Sequence, residues 1–132
     1  MSVYVDTSAL MCLLDSTESF HPQAKAAWER LLREDEALVT SGYTLLETYA
    51  LVQHRFGMEA VRTVAEDIAP VLRVRWVDEG LHSLAIGSVM AANRRKLSLV
   101  DCASFAVMQE MGLRRAFAFG KPFTERGFEL VA

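Results

Sequence analysis

The chain has 132 residues, of which 52% are hydrophobic and 23% charged, a composition typical of a soluble globular protein and not of a disordered or fibrous one. A chain of this length is expected to fold as one domain, residues 1–132, and to need no disulfide or structural metal. The formal net charge of −3 argues against a broad phosphate-binding surface, but it is compatible with a small nucleic-acid site that relies on a metal and a few local cations.

The sequence also carries signals about the cellular compartment. The N-terminal segment enters an apolar run directly, without the basic start or long apolar stretch of a signal peptide. The longest apolar runs fall far short of the roughly 20 residues that a membrane-spanning helix needs. Cys12 and Cys102 lie among apolar residues of predicted helices, and their spacing does not suit a metal site. Two buried free thiols fit a reducing cytosol, so we expect a cytoplasmic protein.

Five short segments rich in β-branched or aromatic residues predict β-strands. In chain order they are Val3 to Asp6, Ala37 to Thr40, Leu72 to Val77, Ala116 to Phe119 and Phe128 to Val131. Helical patterns separate them in the order β-α-α-β-α-α-β-α-α-β-β. Such alternation predicts an α/β protein in which a central, mainly parallel sheet of four to five strands lies between two layers of helices.

The helices have recognisable beginnings and ends. Ser41 is expected to cap a helix that begins near Gly42 and ends at Gly57. Its apolar stripe would consist of Leu45, Tyr49, Val52 and Phe56. Asp78 is expected to cap the next long helix. The inward face of that helix would consist of Leu81, Leu84, Ala85, Val89 and Ala92. The segment Ser98-x-x-Asp101 resembles a capping box with aspartate in place of glutamate.

Three carboxylates stand at the edges of predicted elements: Asp6 after the first strand, Glu47 in the second turn of the helix after Ser41, and Asp101 in the first turn of a later helix. Each alone has a structural explanation as a cap, a surface residue or a complement to the helix dipole. Together they are expected to meet beyond the carboxyl ends of the strands. At a separation of ~5 Å each pair would repel by roughly 3 kcal/mol at an effective dielectric constant of 20. A bound Mg²⁺ or Mn²⁺, or a raised carboxyl pKa, would relieve this repulsion.

In these segments the chain resembles the PIN-domain family, and within it the VapC-type ribonuclease toxins. The resemblance rests on four stretches of sequence: residues 3–10, 40–47, 97–106 and 116–123. It implies a three-layer α/β/α PIN-like fold and a metal-dependent endoribonuclease with Mg²⁺ or Mn²⁺ as cofactor. It also implies a homodimer, and a cognate antitoxin protein that blocks the active site.

Carried over by position, the resemblance makes Asp6, Glu47 and Asp101 both the catalytic residues and the metal ligands. Thr7 or Ser8 would be the small hydroxyl residue of the site, and Ser98 would orient the turn that bears Asp101. The family pattern places a fourth acid after the penultimate strand, but this chain has Gly120 there, which supplies no side-chain ligand. Two lysines near these positions, Lys96 and Lys121, are candidate phosphate contacts.

The leading hypothesis is therefore hydrolysis of phosphodiester bonds in single-stranded or looped RNA. Asp6 and Asp101 would hold a metal, and Glu47 would orient the attacking water or take its proton. Gly120 supports an alternative, a catalytically impaired PIN module that binds RNA or a protein partner without cleavage. A weaker alternative is another Mg²⁺-dependent phosphotransfer enzyme of open α/β type, such as a phosphatase.

Overall fold

Five parallel strands form the centre of the structure, a computed structural model that describes residues 2–132. The strands are β1 (Ser2–Val5), β2 (Ala37–Ser41), β3 (Leu72–Arg75), β4 (Arg115–Phe117) and β5 (Glu129–Leu130). They lie in the order β3-β2-β1-β4-β5, and every neighbouring pair is parallel. The predicted central parallel sheet is confirmed, and β1 occupies its middle.

Seven α-helices in the described residues cover the two faces of this sheet. They are α1 (Thr7–Leu14), α2 (His21–Arg33), α3 (Gly42–Phe56), α4 (Met58–Thr63), α5 (Glu79–Ala92), α6 (Leu99–Met111) and α7 (Pro122–Glu125). Helix α4 continues through a π-helical turn, Val64–Ile68, and a 3₁₀ turn, Ala69–Val71, into β3. None of the helices formed by residues 2–132 is long and apolar enough to cross a membrane.

The side chains of β1 alternate between two hydrophobic cores, as the period of a strand requires. Val3 and Val5 pack with residues of α1 and α2 on one face, and Cys12 belongs to that core. Tyr4 packs with residues of α5 and α6 on the other face, together with Cys102. Both cysteines are buried and free, as predicted. This two-sided burial confirms the three-layer α/β/α architecture.

The predicted helix caps at Ser41, Asp78 and Ser98 are all confirmed, and Ser98 with Asp101 forms a complete capping box. The ends of several elements differ from the prediction. Strand β3 ends at Arg75 and β4 at Phe117, because Asp78 caps a new helix soon after β3 and the chain turns away after β4.

Three further corrections concern helices. The sequence predicted no helix between the last two strands, but Pro122 begins the short helix α7, which allows β4 and β5 to run parallel. Leu84 was predicted to face inward and is 65% exposed, since α5 is buried chiefly through Leu81 and Ala85. Phe56, at the last turn of α3, is likewise 39% exposed.

Candidate active site

Asp6 lies at the carboxyl end of the central strand, where it caps α1. Its carboxylate oxygen Oδ2 accepts hydrogen bonds from the backbone N–H of Ser8 at 3.0 Å and from the Ser8 hydroxyl at 2.6 Å. The backbone N–H of Asp6 donates to the carbonyl of Phe117 at 3.0 Å, which ties the residue to β4. Only 6% of Asp6 is exposed. The other carboxylate oxygen, Oδ1, accepts no hydrogen bond from residues 2–132.

Asp101 and Glu47 come from helices α6 and α3. The backbone N–H of Asp101 donates to the Ser98 hydroxyl at 2.9 Å, and Oδ2 of Asp101 accepts from the Ser98 backbone N–H at 3.4 Å. Ser98 therefore contacts the turn that bears Asp101. Glu47 is half-buried, and within the described part of the chain its carboxylate has neither a hydrogen bond nor an ion pair.

The charges of Asp101 and Glu47 act on Asp6. Burial raises the pKa of Asp6 from 3.8 to about 6, the two hydrogen bonds from Ser8 oppose this rise, and the negative charges of Asp101 and Glu47 add to it. Burial also raises the pKa of Asp101, against the hydrogen bonds from Ser98. Among the ion pairs of residues 2–132, none joins these three carboxylates to a lysine or arginine. We call Asp6, Glu47 and Asp101 the acidic cluster: Asp6 is within electrostatic range of the other two acids, and none of the three is paired with a cation among residues 2–132.

The chemistry of this cluster suits a hard divalent cation, because it offers oxygen donors only and excess negative charge. Among the described residues, no hydrogen-bond donor contacts Oδ1 of Asp6 or Oδ1 of Asp101. The same is true of the whole carboxylate of Glu47. However, no three His, Cys, Asp or Glu side chains of residues 2–132 stand close enough to form a ready ligand set. These donors fit a metal in kind, and binding one would require them to draw closer together.

Of the two hydroxyl residues that the sequence left open, Ser8 is the one that contacts Asp6. Its oxygen also accepts a hydrogen bond from the backbone N–H of Phe119 at 3.0 Å. The hydroxyl of Thr7 instead donates to the carbonyl of Thr44 at 3.3 Å and pairs with the Thr48 hydroxyl at 3.1 Å. Thr7 thus fastens α1 to α3, whereas Ser8 joins Asp6 to the segment after β4.

A buried hydroxyl cluster beneath the acids was missed by the sequence reasoning. The hydroxyl of Tyr4 donates to that of Ser104 at 2.7 Å and pairs with that of Thr44 at 3.0 Å, and Thr44 and Ser104 are 3.2 Å apart. Tyr4 precedes Asp6 by two residues, Thr44 precedes Glu47 by three and Ser104 follows Asp101 by three. Each element that carries an acid therefore contributes one hydroxyl. The available signal was a polar residue close to each acid on an otherwise apolar segment.

Gly120 lies three residues beyond β4 and has a backbone φ of +95°. A Cβ atom there would meet nothing closer than Cδ of Pro122 at 3.7 Å. Room for a side chain therefore exists, but the backbone conformation is one that residues other than glycine rarely adopt. Five residues on, the carboxylate of Glu125 forms an ion pair with Arg94 at 3.6 Å.

Lys96 and Lys121, the two candidate phosphate contacts, line one surface cavity of about 410 Å³. Arg94 and Glu125 also line it. The cavity lies between the segment that leads to Ser98 and the segment that follows Gly120. The structure therefore brings these two lysines together next to the elements that bear Asp101 and Gly120.

A parallel sheet between two layers of helices, with the buried Asp6 at the carboxyl end of its central strand, defines the class of protein. The chain belongs to the PIN domain family, whose model matches residues 3–129. It is 33% identical over 127 residues to the 23S rRNA-specific endonuclease VapC20 of Mycobacterium tuberculosis, in two strains, and the match covers 96% of this chain and 95% of that protein.

Solved structures agree with this membership. The crystal structure of Mycobacterium tuberculosis VapC20, described as a sarcin–ricin loop cleaving toxin, is similar with a TM-score of 0.83 and 32% identity, over 96% of both chains. FitAcB from Neisseria gonorrhoeae is similar with a TM-score of 0.70 and 14% identity, over 98% of this chain and 96% of that one. The second likeness concerns the fold alone. The predicted family is confirmed.

Proposed function

We propose that this protein is a metal-dependent endoribonuclease of the VapC toxin type. One observation carries the proposal: the buried carboxylate of Asp6 lies within electrostatic range of Asp101 and Glu47, with no cation paired to any of them among the described residues. Uncompensated buried carboxylates destabilise a fold, so a purely structural role does not account for the cluster. A divalent metal and a phosphate substrate account for it.

The proposed substrate is looped or single-stranded RNA, with ribosomal RNA as the leading class. This assignment is supported by the identity of 33% to a 23S rRNA-specific endonuclease over nearly the whole chain. It is also supported by the cavity that Lys96 and Lys121 share, since lysines near a carboxylate site provide phosphate contacts without a broad basic surface.

In the proposed mechanism, Asp6 and Asp101 would hold Mg²⁺ or Mn²⁺ through their free oxygens, and Glu47 would complete the ligand set or stay beside it. When bound, the metal supplies charge stabilisation for a phosphate oxygen and lowers the pKa of a water molecule. Glu47, which has no competing partner, takes a proton from the attacking water. The water oxygen would bond to phosphorus as the bond from phosphorus to the leaving ribose oxygen breaks; that oxygen takes a proton from solvent, and Glu47 releases the proton it accepted to solvent.

The surrounding residues position these groups. Ser8 fixes the orientation of Asp6 through its 2.6 Å hydrogen bond, and Ser98 fixes that of Asp101. Lys96 and Lys121 bind phosphates that flank the scissile bond. The hydroxyl cluster of Tyr4, Thr44 and Ser104 keeps the three acid-bearing elements in register, because each of its hydroxyls has a partner inside the cluster.

Partners of the protein belong to the same proposal. We place it in the cytoplasm, where ribosomal RNA is found, under the control of a cognate antitoxin protein.

A homodimer is supported by large apolar side chains exposed on α3 and α5, namely Leu46 at 68%, Leu84 at 65% and Met90 at 70%. We propose that a second copy covers these exposed apolar side chains.

Gly120 favours a second candidate function, a PIN module that binds RNA but has lost cleavage. The position offers no fourth carboxylate, and Glu125, the nearest acid along the chain, pairs with Arg94. Two metal ions would need more negative charge than three carboxylates provide, whereas one ion does not. The ribonuclease proposal therefore assigns one metal to this chain. The second candidate, a PIN module without cleavage, is expected to bind RNA without turnover.

The experiment that tests this proposal compares the cleavage of three classes of substrate. The purified chain is incubated with Mg²⁺ or Mn²⁺ and with ribosomal RNA, a mixed-sequence single-stranded RNA, or small phosphate esters, alongside Glu47→Gln. The proposal predicts cleavage of RNA, no turnover of the small esters, and a loss of about 10²- to 10⁴-fold in Glu47→Gln. Binding without cleavage would favour the impaired module, and turnover of small esters would favour a phosphatase.

A further inference from the structure

The rings of Phe20 and Phe119 form a stacked pair at the edge of the candidate site, and the proposed mechanism does not use them. Their centroids are 5.0 Å apart and their planes differ by 12°. Phe119 is partly buried, whereas Phe20 is 48% exposed. Since Phe119 covers one face of the Phe20 ring, the exposed area of Phe20 lies away from that contact. The pair therefore presents an aromatic surface to solvent.

Two hydrogen bonds connect this pair to the acidic cluster. The backbone N–H of Phe119 donates to the Ser8 hydroxyl at 3.0 Å, and that hydroxyl donates to Asp6 at 2.6 Å. Lys121, a candidate phosphate contact, follows Phe119 by two residues. Phe119 and Lys121 thus belong to the segment after β4, which Ser8 links to Asp6.

The stacked pair is anchored to the hydrophobic core by further rings. Phe119 meets Phe117 edge-on, with centroids 6.4 Å apart, and Phe117 stacks on Trp28 at 6.1 Å. Phe117 is completely buried. Phe20 is also held at the start of α2, where it occupies the N-cap position. These contacts already hold the two rings in place. A ligand that stacks on Phe20 would therefore cost the protein little additional conformational entropy.

We propose that Phe20, backed by Phe119, is a stacking platform for a nucleobase that flanks the scissile phosphate; this inference rests on the proposed ribonuclease function. Proteins read single-stranded and looped RNA by stacking unpaired bases on exposed aromatic rings. Such stacking tolerates any base, because every base has a π-face. The platform would hold the nucleotide beside the scissile bond while Lys121 contacts a neighbouring phosphate.

The test uses Phe20→Leu and Phe20→Trp, with Phe56→Leu as a matched control. Phe56 is also an exposed phenylalanine, 39% exposed, but it lies in the last turn of α3, at the opposite end of that helix from Glu47. All variants are made in the Asp6→Asn background, so that RNA is bound without being cleaved. The probe is a single-stranded RNA with 2-aminopurine, whose fluorescence is quenched when the base stacks. Circular dichroism confirms that each variant is folded.

Phe20→Leu is expected to raise the Kd by about 5- to 100-fold and to remove the quenching on binding. Phe20→Trp, which keeps an aromatic face, should retain both, and Phe56→Leu should match the parent. Equal Kd and equal quenching in Phe20→Leu would overturn the platform and leave the ribonuclease proposal standing. An effect of Phe20→Leu on sedimentation but not on RNA binding would instead show that a second copy covers Phe20. Failure of the parent both to cleave and to bind any RNA would overturn both proposals.

Discussion

The hydroxyl of Ser8 donates a 2.6 Å hydrogen bond to Oδ2 of Asp6. The same hydroxyl accepts from the backbone N–H of Phe119 at 3.0 Å, so one small side chain joins the ends of β1 and β4. With Oδ2 occupied in this way, Oδ1 of Asp6 is the oxygen left for a ligand. The segment that leads to Gly120 is therefore coupled to the orientation of the first acid.

Ser8→Ala should shift the pH dependence of cleavage. The two hydrogen bonds from Ser8 lower the pKa of Asp6, so loss of the hydroxyl should raise that pKa. Because the proposed reaction needs ionised Asp6, the acid limb of the profile of kcat/KM against pH should move to higher pH. The control is Thr17→Ala, since Thr17 makes the same pair of hydrogen bonds to Asp15, at 3.0 and 2.6 Å, in an exposed loop. An acid limb that stays in place in Ser8→Ala would contradict this role.

Asp6 should make the metal-free protein less stable as the pH rises. Its pKa is raised from 3.8 to about 6 on folding, so the folded state binds the proton more tightly than the unfolded state does. The free energy of unfolding should therefore fall between about pH 4 and pH 6 and remain low above that range. Asp6→Asn removes this loss and should gain on the order of 3 kcal/mol at pH 7.5, with little change at pH 4.

Urea unfolding with chelator at the two pH values measures this effect. The control is Asp15→Asn, because hydrogen bonds from Thr17 lower the pKa of Asp15. That substitution should reduce stability at pH 7.5, which is the opposite sign. A loss of stability in Asp6→Asn at pH 7.5 would mean that the ionised carboxylate is stabilised by a partner within the fold.

Asp101→Asn should separate metal binding from helix capping. Added Mg²⁺ or Mn²⁺ should raise the Tm of the parent, because a ligand bound only by the folded state stabilises it. The substitution should remove that shift and raise the Tm in chelator, since the pKa of Asp101 is raised by burial. Asp78→Asn is the control, as Asp78 caps α5 through a 2.9 Å hydrogen bond from Leu81 N–H, and it should keep the metal shift. A full metal shift in Asp101→Asn would show that Asp101 is not a ligand.

Gly120→Asp should restore an acid at the expense of stability. At a φ of +95°, a residue other than glycine is strained by about 1–3 kcal/mol. Gly120→Asn carries the same strain without the charge, so both variants should lose Tm in chelator, and Gly120→Asp should lose at least as much because its carboxylate adds to the negative charge of the acidic cluster. Faster cleavage in Gly120→Asp than in Gly120→Asn would assign the difference to the fourth carboxylate. An unchanged Tm in both variants would show that the segment readily adopts another conformation.

The parts of the fold that sequence predicted depend on local signals. Ser41, Asp78 and Ser98 were identified as caps because each cap acts within three residues of itself. The strands were found as apolar runs, and their parallel arrangement followed from the alternation of strands and helices, whereas the order β3-β2-β1-β4-β5 was not predicted. Helix α7 was missed because a single turn offers too few residues for an apolar period, and only Pro122 marked its start.

The site was predictable only in part, for a related reason. Asp6, Glu47 and Asp101 were selected by their positions at the ends of elements, and the structure brings them within electrostatic range. The pairing of Tyr4 with Ser104, 100 residues apart, depends on how α6 packs on the sheet. The stacking of Phe20 on Phe119 likewise depends on the path of the loop between α1 and α2, which brings Phe20 next to the segment after β4. No local pattern contains such contacts.

Asp6 is the residue on which the proposed metal-dependent nuclease site depends most. The most direct test is the single-turnover cleavage rate of a ribosomal stem-loop RNA, measured for the parent, Asp6→Asn and Asp15→Asn with Mg²⁺, with Mn²⁺ and with chelator. The account predicts cleavage by the parent and by Asp15→Asn with either metal, and none by Asp6→Asn or in chelator. Cleavage by Asp6→Asn at the rate of the parent, or cleavage that chelator does not reduce, would contradict it.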